Sequence, residues 1–262
     1  MSRRRARIAV CVALAWCVAQ AAALAHPSTL LGVPRALVEG QGRGGAAAPP
    51  PAARASAPID LTGYWVAFIS EEWRYRMVMP PKGDYRGIPL TPEGTRVANT
   101  WDPAAVEPEP CKAYGAPAIM RIPGRVHIVW QDDNTLRLDT DAGTQTRVFR
   151  FGPAAAPAGP ATWQGSSTAR WERAGRGAGS LTVVTTNARP GYLRRNGVPY
   201  SENATVTEYF DVAPHPSGGQ VLVVTTVVED PRYLQRPYIV SSHFKKEGDG
   251  SKWDPSPCTA IW

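Results

Sequence analysis

The sequence predicts an all-β domain that forms an antiparallel up-and-down barrel or a strongly curled sheet of about ten strands. From residue 63 onward, β-branched and aromatic residues recur with a period of two, the side-chain period of a strand. The intervals between these stretches hold Gly, Pro, Asn and Asp, which turn chains. Because a wide open sheet leaves its edges exposed, closure into a barrel is favoured, and a β-sandwich is the alternative.

The strands are assigned in chain order from this alternation. The first pair is predicted at 63–69 and 73–78, followed by a hairpin over 126–140 whose turn is Asp132-Asp133-Asn134. One short helix is predicted at 91–99, because Thr91 can cap it and Pro92 takes its first position. The remaining strands are predicted at 144–151, 162–172, 181–187, 204–212, 221–228 and 237–246.

Two segments without this pattern precede the domain. Residues 1–25 combine a basic start, an apolar stretch and the ending Ala23-Leu24-Ala25, which predicts a secretory signal peptide, with a membrane anchor as the alternative. Residues 26–58 are rich in Ala, Pro and Gly and are predicted to be a disordered tether. A single β-rich domain then spans 59–262. The protein is therefore expected to be exported, periplasmic or secreted, by the general secretory or the twin-arginine route, and to keep no transmembrane segment after processing.

Charge and composition argue against a nucleic-acid partner and exclude a fully disordered chain. The net charge of +7 comes from 29 basic and 22 acidic residues. Seven of the basic residues and one acidic residue precede residue 59, which leaves a domain with 22 basic and 21 acidic residues. Such a near-neutral domain argues against a nucleic-acid partner. A hydrophobic content of 43% with nine Trp excludes a fully disordered chain.

Cysteine placement predicts one disulfide bond. Cys11 and Cys17 lie in the predicted signal peptide, so the mature chain retains Cys111 and Cys258. Two cysteines in an exported protein most simply pair with each other, and two separate thiols are the alternative.

The start of the domain resembles a known family of barrels. Near its start, the six residues Asp60-Leu61-Thr62-Gly63-Tyr64-Trp65 resemble the Gly-x-Trp opening of lipocalins and related calycins. The resemblance implies a barrel closed at one end by the Trp side chain and holding a small hydrophobic molecule. The segments 90–94, 130–134 and 140–147 resemble those of uncharacterised exported bacterial proteins, a likeness that implies no activity.

Three residues are candidates for acid–base catalysis. His127 and His243 lie on predicted strands, and an imidazole can act as a general base near neutral pH. Glu208 alternates with apolar residues on a face expected to be buried, and Arg147 is its candidate partner. The alternatives are structural or solvated histidines and a structural ion pair. No sequence motif for a metal, nucleotide or other cofactor is present, so none is predicted.

The predicted function is the binding of a small hydrophobic or aromatic molecule in the barrel lumen. Alternatives are a cofactor-independent lyase, isomerase or hydrolase using a lumen His or Glu, and a structural module of the cell envelope. Nothing in the sequence specifies an oligomeric state. The loop around Tyr192, Arg194 and Arg195 is a candidate polar lid at the barrel mouth. The candidate ligand-binding residues are Trp65, Trp130, Arg147, Tyr192, Arg194, Tyr200 and Tyr209.

Overall fold

The computed structural model describes residues 51–153, 159–175 and 178–260. The predicted signal peptide and most of the predicted tether lie outside the described residues. The last part of the predicted tether, 51–58, packs against the barrel. The Ala53 amide donates to the side chain of Asn134 at 2.9 Å, and the indole of Trp171 donates to the Ala53 carbonyl at 2.9 Å.

Nine strands close into a barrel in the order β1-β11-β10-β9-β6-β5-β4-β3-β2. This confirms the predicted all-β barrel. Neighbouring strands are antiparallel except β4 and β5, which pair in parallel. The barrel strands are β1 (Gly63–Phe68), β2 (Arg125–Asp132), β3 (Thr135–Thr140), β4 (Gln145–Phe151), β5 (Ser166–Arg173), β6 (Gly179–Thr186), β9 (Thr205–Pro214), β10 (Gln220–Glu229) and β11 (Tyr238–Lys246).

Along the strands, one set of alternating side chains points into the lumen, and most members of this set are apolar. On β2, Val126 and Ile128 are buried while His127 between them lies on the outer face. The indole of Trp65 is fully buried in the lumen, and its N–H donates to the Leu61 carbonyl at 2.9 Å. Apolar side chains from the strands form one packed cluster inside the barrel. The interior is therefore a core that stabilises the fold through the burial of apolar surface.

The segment 73–78, predicted as a strand, is instead mostly a helix, α1 (Trp73–Met77). The prediction was wrong because Trp73, Tyr75 and Met77 occupy every second position, as residues on one face of a strand do, although they lie in a helix. In the structure Trp73 is 63% exposed and Arg76 is buried. Glu72, at φ 46°, turns the chain away from the direction of β1 just before the helix.

The predicted capped helix is confirmed as α2 (Pro92–Ala98). The hydroxyl of Thr91 accepts the Gly94 amide at 3.0 Å, which satisfies one of the free donors of the first turn. Both α-helices are short. Within the described ranges, no helix has the length and apolar character that a membrane crossing requires.

Two long connections cover one end of the barrel, and we call them the cap: residues 69–124, between β1 and β2, and 187–204, between β6 and β9. The second connection carries a small hairpin, β7 (Gly191–Arg194) and β8 (Val198–Tyr200), in a region predicted to be a loop. Leu193 and Tyr200 of the hairpin pack in one cluster with Val206 and Val228 at the barrel end. This second core holds the cap on the barrel.

The predicted disulfide bond between Cys111 and Cys258 is confirmed, with an S–S distance of 2.06 Å. The two cysteines are separated by 147 residues. The bond therefore joins the cap to the segment that follows the last strand.

Candidate functional site

The three candidate acid–base residues lie in three different surroundings. His127 is on the outer face of β2, where its ring stacks on Tyr64 with the centroids 4.1 Å apart and the planes at 6°. The indole of Trp253 approaches the same ring edge-on. His127 is thus part of an aromatic contact on the outside of the barrel.

Packing against Tyr64 has a consequence for stability at acidic pH. Burial lowers the pKa of His127 from 6.5, and the charge of Arg137 adds to the effect while Asp139 opposes it. The unfolded chain binds the His127 proton more readily, so stability is lost as the pH falls through 6.5. We expect thermal unfolding of the wild type between pH 7.5 and 5 to depend more steeply on pH than that of His127→Gln. Equal slopes would show that the stacked ring titrates as it does in the unfolded chain.

His243 lies on the outer face of β11, close to the cap. Its Nδ1 is 3.0 Å from Oε2 of Glu71 and 3.0 Å from the hydroxyl of Ser70. In a hydrolytic triad the acid and the nucleophile contact opposite nitrogens of the imidazole. Here both contact the same nitrogen, so the group lacks the geometry of a proton relay.

Glu208 points into the lumen and forms a bidentate ion pair with Arg147. The two bonds measure 2.9 and 2.5 Å, and both side chains are 0% exposed. Arg147 also donates to the hydroxyl of Thr185 at 3.3 Å, and that hydroxyl lies 2.7 Å from the Ser167 hydroxyl. The predicted partnership is therefore present, as a buried network inside the packed core.

The candidate ligand-binding residues are also spread over the molecule. Trp65 belongs to the lumen core, and Trp130 packs against Phe151 at 5.6 Å between ring centroids. Tyr209 is 38% exposed on the outer face of β9. Tyr192, Arg194 and Tyr200 all lie on the cap hairpin, in the region predicted to be a polar lid.

Within the cap, four arginine side chains line one small pocket with a volume of about 20 Å³. None of the residues that line it belongs to a barrel strand. We call this the arginine pocket and define it by Arg76 of α1, Arg121 of the 3-10 turn Ile119–Arg121, Arg194 of β7, and the adjacent Arg195. All four are buried, with exposed fractions between 2% and 6%.

Two consecutive glutamates pair with these arginines. Glu72 accepts from Arg121 at 2.7 Å and from Arg194 at 3.3 Å, and Glu71 accepts from Arg76. The glutamate side chains are 21% and 29% exposed, so they lie nearer the surface than the guanidinium groups that they contact. Three guanidinium groups, those of Arg76, Arg121 and Arg194, thus share two carboxylates.

Backbone and aromatic contacts fix the direction of the guanidinium groups. Arg76 donates through Nε to the Arg121 carbonyl at 2.9 Å, and Arg194 donates to the Arg86 carbonyl at 2.8 Å. The guanidinium carbon of Arg194 lies 4.1 Å from the centroid of the Tyr75 ring, a cation–π contact. Contacts within the protein therefore fix the guanidinium groups of Arg76 and Arg194 in direction.

Several buried guanidinium nitrogens nevertheless have no acceptor among the described residues: Nη2 of Arg76, Nε of Arg121 and Nε of Arg194. A buried donor without an acceptor costs about 1 to 3 kcal/mol, and more when it is charged. Burial also lowers the pKa of Arg76 and of Arg195. The nitrogens of Arg76, Arg121 and Arg194 that have no acceptor indicate that the pocket is short of acceptor oxygens.

Sequence reasoning found only part of this pocket. Arg194 and Arg195 lie in the predicted lid, whereas Arg76 lies in a segment predicted to be a strand and Arg121 is not among the predicted site residues. The pair Glu71-Glu72, close to a run of alternating arginines, was the available signal. It carries little weight alone, because charged pairs of this kind are usually solvated.

The described part of the chain contains no group of three or more His, Cys, Asp or Glu side chains arranged to hold a metal ion. The residues that line the arginine pocket are donors rather than metal ligands. In comparisons with known proteins, no protein-family model matches the chain and no curated protein matches it significantly.

Proposed function

We propose that the protein is an exported β-barrel that binds a small organic anion, a carboxylate, in the arginine pocket of its cap. The observation that carries the proposal is the set of buried guanidinium donors without acceptors that line one cavity. A carboxylate offers two oxygens with about four acceptor positions in one plane, which matches the planar fork of arginine. The volume of about 20 Å³ leaves room in the pocket for one small polar group, such as a single carboxylate.

The arrangement of charges supports binding rather than a purely structural role. A self-contained structural network would pair each buried charge, because an unpaired buried charge is strongly destabilising. Glu71 and Glu72 are two carboxylates that pair with three guanidinium groups, those of Arg76, Arg121 and Arg194. They reduce the repulsion among the guanidinium groups and leave an excess of positive charge for an incoming anion.

In this proposal, the anion binds in the cap instead of the barrel lumen. Large apolar side chains pack together inside the barrel, whereas the arginine pocket lies between cap segments that the barrel end supports. The separation of His127, His243 and Glu208 offers no support for the alternative of an acid–base enzyme. The barrel is then the rigid scaffold, and its connections carry the site.

Replacing Arg194 by glutamine is expected to weaken the binding of acetate, phenylacetate or inorganic phosphate at least about tenfold, because a hydrogen bond to a charged group is worth about 1.5 to 3 kcal/mol. Titration followed by calorimetry or by NMR measures the effect on the purified protein. The matched control is Arg170→Gln, which removes an exposed arginine that pairs with Glu172 on the barrel surface.

The control variant should bind these anions like the wild type. Two results would overturn the proposal: no binding of any of the three anions to the wild type, or equal affinities in Arg194→Gln and the wild type. A circular dichroism spectrum and an unfolding curve of each variant show whether a loss of binding comes from a loss of fold.

A further inference from the structure

We infer that the exposed side of α1, together with the loop that follows it, binds the surface of membranes that contain anionic lipids. This inference goes beyond the proposed function and does not depend on it. We call this part of the cap the α1 surface and define it by six exposed side chains, those of Trp73, Arg74, Met77, Val78, Lys82 and Arg86.

The α1 surface is unusual in how many large apolar side chains it exposes. Seven such side chains are exposed among the described residues, and four of the seven fall between residues 68 and 78. Trp73, Met77 and Val78 are 63%, 53% and 57% exposed. Trp73 and Met77 are one helical turn apart, so they extend from the same side of α1. Scattered apolar residues on a surface are ordinary, whereas a group of them marks a contact with a partner or a membrane.

Positive side chains lie on the same segment as these apolar ones. From residue 73 to residue 87 the exposed charged residues are Arg74, Lys82 and Arg86, and the only acid is Asp84. Arg86 donates to both carboxylate oxygens of Asp84, at 2.9 and 3.0 Å. The side chain of Asp84 is 8% exposed and that of Arg86 is 69% exposed, so the cation reaches farther into solvent. Three cations against one carboxylate leave the surface with an excess of two positive charges.

The loop 79–87 is held on the cap by its backbone. The side chain of Asn196 donates to the carbonyls of Pro81 and Asp84 at 3.1 and 3.0 Å. The loop borders an open depression of about 420 Å³, and the charged residues that line this depression are Arg74, Lys82, Asp84 and Arg86. Because the backbone is fixed from the inner side, the cations remain on the outer side, around a depression that a lipid phosphate can enter.

Apolar and cationic side chains on one surface match the two layers of an anionic bilayer. Trp is enriched at the boundary between headgroups and acyl chains, where an apolar ring with one polar group finds both of its preferred surroundings. Trp73, Met77 and Val78 would enter this boundary, while the cations next to them contact lipid phosphates. The core of a protein–protein interface is by contrast depleted in Lys. The composition of the α1 surface therefore favours a membrane over a protein partner.

Sedimentation of the purified protein with phospholipid vesicles tests the inference. The vesicles contain either phosphatidylcholine alone or a mixture with about 40% phosphatidylglycerol, which is anionic. We expect the wild type to bind the mixed vesicles at least about tenfold more tightly, and to be released by about 0.5 M salt, because salt screens the attraction. The double variants Trp73→Ser/Met77→Ser and Lys82→Gln/Arg86→Gln should each bind the mixed vesicles at least about tenfold more weakly than the wild type.

A matched control removes the same kinds of side chain from another part of the surface. Arg170 of β5 and Tyr209 of β9 are both exposed, and each lies opposite Thr182 of β6. Arg170→Gln/Tyr209→Ser should bind both kinds of vesicle like the wild type. The comparison of variants carries the conclusion, because residues 1–25 are basic and apolar and could hold an unprocessed chain on the same vesicles.

Several results would overturn the inference. The wild type binds no vesicles or binds both kinds equally, the two double variants bind like the wild type, or the control loses binding as they do. Arg194→Gln should bind vesicles normally, and a loss of binding there would assign the lipid phosphate to the arginine pocket instead. Circular dichroism shows whether each variant is folded. The two double variants change different side chains, so either one can decide the question if the other does not fold.

Discussion

Glu208→Gln should lower the free energy of unfolding by about 3 to 5 kcal/mol, since removal of one partner of a buried ion pair leaves an uncompensated charge. Glu208 and Arg147 are both 0% exposed and are joined by two hydrogen bonds inside the barrel. The amide keeps the size of the side chain, so the effect reports charge rather than packing. Urea unfolding followed by tryptophan fluorescence measures it.

A double variant distinguishes the contribution of the pair from the cost of breaking it. Arg147→Met combined with Glu208→Leu fills a similar volume with apolar groups and should recover most of the stability lost in Glu208→Gln. Glu172→Gln, which breaks the exposed pair with Arg170, is the control and should change stability by less than about 1 kcal/mol. A loss below about 1 kcal/mol in Glu208→Gln would contradict the assignment of a dry, buried pair.

Replacing both Cys111 and Cys258 by serine should lower the free energy of unfolding by up to about 5 kcal/mol. The bond closes a loop across a separation of 147 residues, and the loss of conformational freedom in the unfolded chain grows with the length of the loop. Because it joins the cap to the C-terminal segment, we also expect amide hydrogen exchange in the cap to increase more than exchange in the barrel strands.

Reduction of the wild type with dithiothreitol provides the matched comparison. The reduced wild type and the double serine variant should unfold at the same urea concentration, and the variant should not respond to the reductant. If the variant is as stable as the oxidised wild type, the bond contributes nothing to the native state. If exchange rises equally throughout the domain, the bond does not act through the cap.

Features that depend on local spacing were predictable. Strand alternation predicted the barrel because each strand has one face in the core, and any arrangement that buries all of those faces must close or stack the sheet. The capped helix at Thr91 was predictable because its signal lies within a few consecutive residues. The partnership of Arg147 and Glu208 followed from alternation too, since both occupy inward positions where a charge requires a partner.

The segment 73–78 shows where local reasoning fails. Its alternating residues fit a strand, but it lies in a connection where the turn at Glu72 separates it from the sheet. Alternation over six residues does not show which other part of the chain the segment packs against. Packing with the rest of the cap determines that Arg76 is buried and that Trp73 is exposed.

The sequence by itself determined the class of the fold, the capped helix and the pairing of the cysteines, because these depend on short patterns or on the absence of other partners. Only the tertiary structure decided that Arg76, Arg121 and Arg194 line one pocket. These residues belong to three separate segments, and a cap supported by the barrel end brings their charges together. The connections between the strands bring these residues together, and no repeating pattern within a single segment predicts that contact.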